Sequence, residues 1–216
     1  MAARKRKKLN KAETAQVLEL LAEAYPDASC ALNYGTPFQL LTAVALSAQT
    51  TDKKVNQVTE TLFKVCPTAK EMAAIDETEL QEMIRTIGLY KNKAKNLIEM
   101  SKILLEKYDG EVPQDQQLLI QLPGVGRKTA NVVMSEAFGY QRIAVDTHVF
   151  RVSNRIGLVD EDDVLATELS LMKAIPENQW SDSHHRLIWH GRNVCAARKP
   201  TCEACPLAEV CLKKIK

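Results

Sequence analysis

Apolar residues recur along almost the whole chain at intervals of three and four, the period of a helix and not the alternation of a strand. Val17, Leu18, Leu21, Ala24 and Tyr25 share one such face, which stops at Pro26. Thr36 followed by Pro37 reads as an N-cap and first-turn pair, opening a helix through Leu40, Leu41, Val44 and Ala45. Val55, Val58 and Leu62 mark another. Thr68 with Glu71, and Asp76 with Glu79, have capping-box spacing. Leu80, Met83, Ile84 and Ile87 run to Gly88, read as a C-terminal stop. Ala94, Leu97, Ile98, Ser101, Leu104 and Leu105 form a long face ended by Asp109-Gly110. Leu118, Leu119 and Leu122 make a short face, and Ala130, Val133, Met134 and Ala137 start a helix near Gly126. Val149, Val152 and Ile156 mark a further helix. Leu165, Leu169 and Met172 lead to Pro176, and Leu187, Ile188 and Gly191 carry the last helix into a cysteine loop. Only Ile143-Ala144-Val145 could pass for a strand, and it is too short to build a sheet. The expected fold class is all-α.

At 216 residues and 45% hydrophobic, the chain can bury one large core or two smaller ones. A net charge of +2 permits a nucleic-acid partner without demanding one. Basic residues gather in an N-terminal arm, Arg4 to Lys8, and in a second group, Lys91, Lys93 and Lys95. The plainer reading of these is a solvated tail and a solvated helix face. No apolar run approaches ~18 residues, and none follows the basic N-terminus, so neither a membrane span nor a secretory signal is expected. In a cytoplasmic protein, which is what remains, cysteines serve more often as ligands than as disulfides. Cys30 and Cys66 stand apart and read as inert core residues.

The other four, Cys195, Cys202, Cys205 and Cys211, are spaced C-x6-C-x2-C-x5-C within 17 residues. So close a set can converge on one soft metal centre. A four-cysteine zinc site is the generic alternative, but it usually shows two short C-x2-C knuckles, and one is present. The uneven spacing suits an iron–sulfur cluster.

Leu122-Pro123-Gly124-Val125-Gly126-Arg127-Lys128-Thr129-Ala130 lies between two helical patterns. Two glycines there allow backbone angles that a Cβ forbids and present amide N–H groups beside a positive helix end. A DNA phosphate fits such a nest; a plain tight turn is the alternative. Lys128 has the wrong charge for a helix start. A nucleophilic lysine needs surroundings that disfavour its ammonium form, which the helix end, Arg127 and burial would provide. A second phosphate contact is the equal alternative. Asp146, in Val145-Asp146-Thr147-His148-Val149, reads either as an N-cap or as a partly buried carboxylate facing Lys128 across a cleft. His148 reads as structural.

Taken in order, these pieces resemble the endonuclease III family of helix-hairpin-helix DNA glycosylases over roughly residues 10 to 212. Leu46-Ser47-Ala48-Gln49 and Ile87-Gly88-Leu89-Tyr90 add to the match. The resemblance implies two helical domains with a DNA-binding cleft between them. One is a six-helix barrel over 30–140, with the helix-hairpin-helix at about 114–139. The other joins 10–29 to 141–216 around one [4Fe–4S] cluster on Cys195, Cys202, Cys205 and Cys211, and 1–9 form a basic disordered arm. It implies Lys128 as Schiff-base nucleophile, Asp146 as the essential carboxylate, and Gly124, Val125 and Gly126 as DNA-backbone contacts. Gln49 and Leu89 would enter the duplex where the damaged base has left, and Arg192, Arg198 and Lys199 would lie near DNA. The implied activity is a bifunctional glycosylase and AP lyase on double-stranded DNA with oxidised pyrimidines or abasic sites, acting as a monomer in the cytoplasm, at the nucleoid if bacterial. Rival readings are a monofunctional adenine or mismatch glycosylase, which would lack Lys128 and need room beyond Cys211, and a non-catalytic hairpin module with zinc.

Overall fold

The computed structural model describes residues 8–215, and among them there is no strand. In chain order the helices are α1 (Lys11–Ala24), α2 (Pro37–Ser47), α3 (Asp52–Val65), α4 (Ala69–Ala74), α5 (Glu77–Ile84), α6 (Tyr90–Tyr108), α7 (Gln116–Leu119), α8 (Arg127–Phe138), α9 (Thr147–Ile156), α10 (Val164–Ala174) and α11 (Trp180–Asn193). The fold is all-α. Ile143, Ala144 and Val145 are irregular backbone buried in a core, not a strand.

Local chemistry sets most helix starts. Thr36 caps α2 by accepting from the Gln39 N–H, with Pro37 at the first position. Thr68 and Glu71 complete a reciprocal capping box, as do Asn10 and Glu13 at α1, a pair the apolar pattern did not bring out. Asp76 accepts from the N–H groups of Thr78 and Glu79, but Glu79 returns no bond, so only half of that expected box forms.

Three expectations change. Helix α5 stops at Ile84, four residues before Gly88, and the left-handed residue of the following turn is Leu89. Lys93 is buried, not solvated: it falls in phase with Ala94, Leu97 and Ser101 on the inward face of α6, while Lys91 and Lys95 are exposed. Helix α10 buries Thr167, Glu168 and Leu171 and leaves Leu165 and Leu169 about half exposed. Thr167 tolerates this because its hydroxyl donates to the Asp163 carbonyl at 2.8 Å.

The chain forms two compact units. The inserted unit, Ala31–Tyr140, holds α2 to α8. Helices α3, α6 and α8 pack on α2, and α4 and α5 on α6, around fully buried Leu40, Leu41, Leu62, Met72, Leu80, Leu97 and Met100. The terminal unit runs up to Cys30 and resumes at Gln141. There α1 and α9 pack against α11. Its core contains Val17, Leu21, Val149, Val152, Leu187 and Leu207, and Cys195, Cys205 and Cys211 pack against it. Burying each such aliphatic side chain contributes about 1.5–3 kcal/mol. Residues 1–7 of the basic arm lie outside the described residues; Lys8 pairs with Glu161 at 3.1 Å.

Candidate active site and metal centre

In the inserted unit the hairpin joins α7 to α8. Its turn closes through the Val125 N–H donating to the Leu122 carbonyl at 3.1 Å, and both side chains are buried as anchors. The Gln116 Nε2 donates to the side-chain oxygen Oδ1 of buried Asn131, tying α7 to α8. The two glycines differ in what they do. Gly124 has φ +76°, and a Cβ there would meet the Asn96 side chain at 3.1–3.2 Å. Gly126 has φ −94°, which any residue adopts, and a Cβ on it would meet nothing within 4 Å. The protein's own packing and backbone call for glycine at 124 and not at 126.

Gly126 is also the N-cap of α8. It brings no side-chain acceptor, and the first turn has no acidic residue. The helix end therefore offers its amide donors and positive dipole to an external anion. Gly124→Ala should cost at least about 1–2 kcal/mol from its left-handed backbone alone. Gly126→Ala should cost under about 1 kcal/mol yet weaken the binding of a phosphate-bearing ligand at this helix end roughly tenfold, as expected when one bond to a charged group is lost. Thermal melts and binding isotherms of the two variants check this contrast.

Lys128 is the second residue of α8 and is exposed. The burial expected for it from the sequence is therefore absent. Its amine is open to a reactant.

Gln49 and Leu89 lie in adjacent loops of the same unit. Both have left-handed backbone, φ 58° and 59°, and both are exposed, Leu89 by 61%. Such a conformation costs a residue with a Cβ about 1–2 kcal/mol. At Leu89 this strain presents an apolar side chain to solvent and serves no packing purpose. The loops touch: a Cβ on Gly88 would lie 3.7 Å from the Gln49 carbonyl oxygen.

Asp146, in the terminal unit, is partly buried and caps α9. One oxygen, Oδ1, accepts from the N–H groups of His148 and Val149, each at 2.8 Å. Neither bond uses Oδ2, so the cap fixes the carboxylate and leaves an oxygen for another partner. His148 pairs through Nδ1 with Arg151 at 3.2 Å, a structural role.

All four loop cysteines line one small cavity. Among the described residues, however, no three His, Cys, Asp or Glu side chains are grouped closely enough to hold a single metal ion. Donors surround the sulfurs. Arg155 points Nη1 at the Cys195 sulfur at 3.8 Å and donates to the carbonyls of Ala196 and Ala197. The Lys213 N–H reaches the Cys211 sulfur at 3.3 Å. His190 lies 3.7 Å from the Cys205 sulfur through Nε2 and 3.0 Å from the Tyr25 hydroxyl through Nδ1. Burial lowers the His190 pKa to about 4, so the ring is neutral at physiological pH. Burial raises the thiol pKa of Cys205 and Cys211, as neighbouring sulfurs also do, against N–H groups that lower it. Burial thus favours the neutral thiols of Cys205 and Cys211, and a cationic centre bound there would displace their protons. Arg155, His190 and Arg151, which donates through Nε to the Cys195 carbonyl at 3.1 Å, are the supporting residues that motif reading missed; the helical phase of Arg151 and Arg155 on α9 was the available signal.

Residues 42–177 match the HhH-GPD superfamily base excision DNA repair protein model. The chain is 51% identical over 195 residues to endonuclease III of Bacillus subtilis (strain 168), covering 90% of this chain and 89% of that one. Against endonuclease III of Escherichia coli (strain K12) it is 47% identical over 208 residues, covering 96% and 99%. This chain belongs to the endonuclease III family. A solved trapped endonuclease III–DNA covalent intermediate, an estranged-adenine complex, superposes with a TM-score of 0.91 at 50% identity, covering 94% of this chain and 96% of that one. As an endonuclease III family member the protein is a base excision repair enzyme, a DNA glycosylase and AP lyase. That membership sets aside both the monofunctional and the non-catalytic readings.

Proposed function

We propose that this enzyme excises oxidised pyrimidines from double-stranded DNA and cuts the strand 3′ to the abasic site, with Lys128 as nucleophile and Asp146 as its carboxylate partner. The observation that carries this is Lys128 itself, an exposed amine on the second residue of a helix whose start disfavours a cation. A relative 50% identical to this chain has been trapped covalently on DNA, which supports an enzyme nucleophile.

A stacked base is out of reach, so the damaged nucleotide leaves the helix at a cost of roughly a few kcal/mol. Gln49 and Leu89 fill the space it vacates, and the amides around Gly124, Val125 and Gly126 hold a backbone phosphate. The Lys128 amine attacks the sugar C1′, and the bond from C1′ to the base breaks with its electron pair leaving on the base. Asp146 stabilises positive charge on the sugar through its free oxygen. The nitrogen then expels O4′, which takes up a proton as the sugar ring opens, and the C1′ imine so formed acidifies the C2′ proton; loss of that proton expels the 3′ phosphate. Oxidised pyrimidines that stack and pair poorly are the easiest to extrude.

Cys195, Cys202, Cys205 and Cys211 would hold one [4Fe–4S] cluster, through which the loop would be cross-linked. That loop carries exposed Arg198 and Lys199 toward DNA, with Arg192 just before it. The inserted unit corresponds to the barrel domain with its hairpin, and the terminal unit to the cluster domain. The enzyme acts as a monomer in the cytoplasm; no described helix is long and apolar enough to cross a membrane.

Purified enzyme should be yellow-brown, with about four iron and four sulfide per chain. Stoichiometric zinc without iron after anaerobic preparation would contradict the cluster. Cys205→Ser should chiefly reduce soluble, folded protein, because metal binding supplies folding free energy. The substrate is tested with duplexes that each carry one lesion: an oxidised thymine, an abasic site, uracil, or adenine opposite oxidised guanine. Cleavage of the first two is expected. Activity confined to uracil or adenine would overturn the substrate assignment.

A further inference from the structure

Lys93 is 9% exposed, on the first turn of α6, and no carboxylate pairs with it among the described residues. Its ammonium instead donates to two carbonyls at the C-terminal end of α2, Leu46 at 2.9 Å and Ala48 at 2.6 Å. Those carbonyls lie at a negative helix end, where a cation is favourable. Ala48 immediately precedes Gln49. The backbone N–H of the same lysine donates to the Leu89 carbonyl at 3.1 Å, closing the first turn of α6. One residue thus holds Leu89 through its amide and, through its side chain, Ala48, the residue that leads into Gln49. Burial alone lowers the Lys93 pKa. A side chain that accepts this cost without a counter-ion is held by what it ties together.

The geometry points to Lys93 as a positioning residue that locks the Gln49 and Leu89 loops into one preformed wedge. This rests on the reading that those two residues enter the duplex. Strain stored in two separate loops relaxes unless something fastens them, and a wedge that must be ordered after contact costs entropy at the moment of extrusion. Lys93 removes that cost beforehand. It touches neither the sugar nor the base, so its loss should slow extrusion and spare the chemistry that follows.

The test compares single-turnover excision of an oxidised thymine, at saturating enzyme, in a fully paired duplex and as an unpaired single-base bulge. Lys93→Met keeps the aliphatic stem and removes the donors. It should slow paired excision about tenfold or more, the scale of lost charge-assisted bonds, while bulge excision falls less than about threefold. Lys93→Arg, which keeps charge and donors, should retain most of the paired rate. Leu89→Ala should show the same paired-only loss, and the double variant should be no slower than the slower single one, since both act through one wedge. If Lys93→Met folds poorly, Lys93→Gln must show the same selectivity to a smaller degree. Equal slowing on both substrates would overturn the proposal, as would a normal Lys93→Met beside a slow Leu89→Ala. A normal Leu89→Ala would instead remove the insertion reading on which it rests.

Discussion

Lys128→Gln should abolish strand cleavage at every enzyme concentration while retaining most of the affinity for DNA. Glutamine keeps a polar side chain one atom shorter but has no nucleophilic amine. The hairpin amides, Gly126 and the exposed basic residues are unchanged, so binding should lose little. If Lys128 were one more phosphate contact, the pattern would invert: binding would weaken, its salt slope would drop by about one unit, and added enzyme would restore cleavage. A lost nucleophile cannot be restored by concentration. Titrating the variant to saturation on an abasic-site duplex separates the two outcomes.

Asp146→Asn should lower base excision by roughly 10²- to 10⁴-fold, the range for removing a group that handles charge or protons in the transition state. Asparagine caps a helix about as well as aspartate, so the bonds to His148 and Val149 should survive and Tm should move by no more than about 2 °C. Asp146→Ala should differ in kind, losing both cap and charge and destabilising the protein by about 1 kcal/mol. Near-normal excision by the Asn variant would leave Asp146 as a helix cap alone. The comparison is clean because Oδ1 makes the cap and Oδ2 is outside it.

How far the sequence could be read depended on whether the deciding interaction was local. Thr36-Pro37 and Thr68-Glu71 state their caps within four residues, and both helix starts follow. Gly88 looked like a helix stop, but the turn there takes its left-handed residue at Leu89, where no side-chain signal marks it. Leu165 and Leu169 looked like an inward face, yet the partners of α10 lie on the Thr167 and Leu171 side. A periodic pattern gives the spacing of a helix face and leaves its direction to the neighbours.

The candidate site divides in the same way. Cys195, Cys202, Cys205 and Cys211 are spaced tightly enough to be read as ligands from the chain alone. Lys128 stood out because its charge opposes the helix it starts. Lys93 was hidden between Lys91 and Lys95 as one of three cations; its carbonyl partners, Leu46 and Ala48, lie more than forty residues away. Arg155 and His190 were equally out of view, since their sulfur contacts exist only once α9, α11 and the loop meet.

The central claim is that the Lys128 amine forms an imine with the sugar. Borohydride added during turnover of an oxidised-thymine duplex should reduce that imine, leaving enzyme and DNA covalently joined. Proteolysis and mass spectrometry of the adduct should place the sugar remnant on the peptide carrying Lys128, and Lys128→Gln should give none. Base release without an adduct, or an adduct on a different residue that persists in Lys128→Gln, would contradict the account.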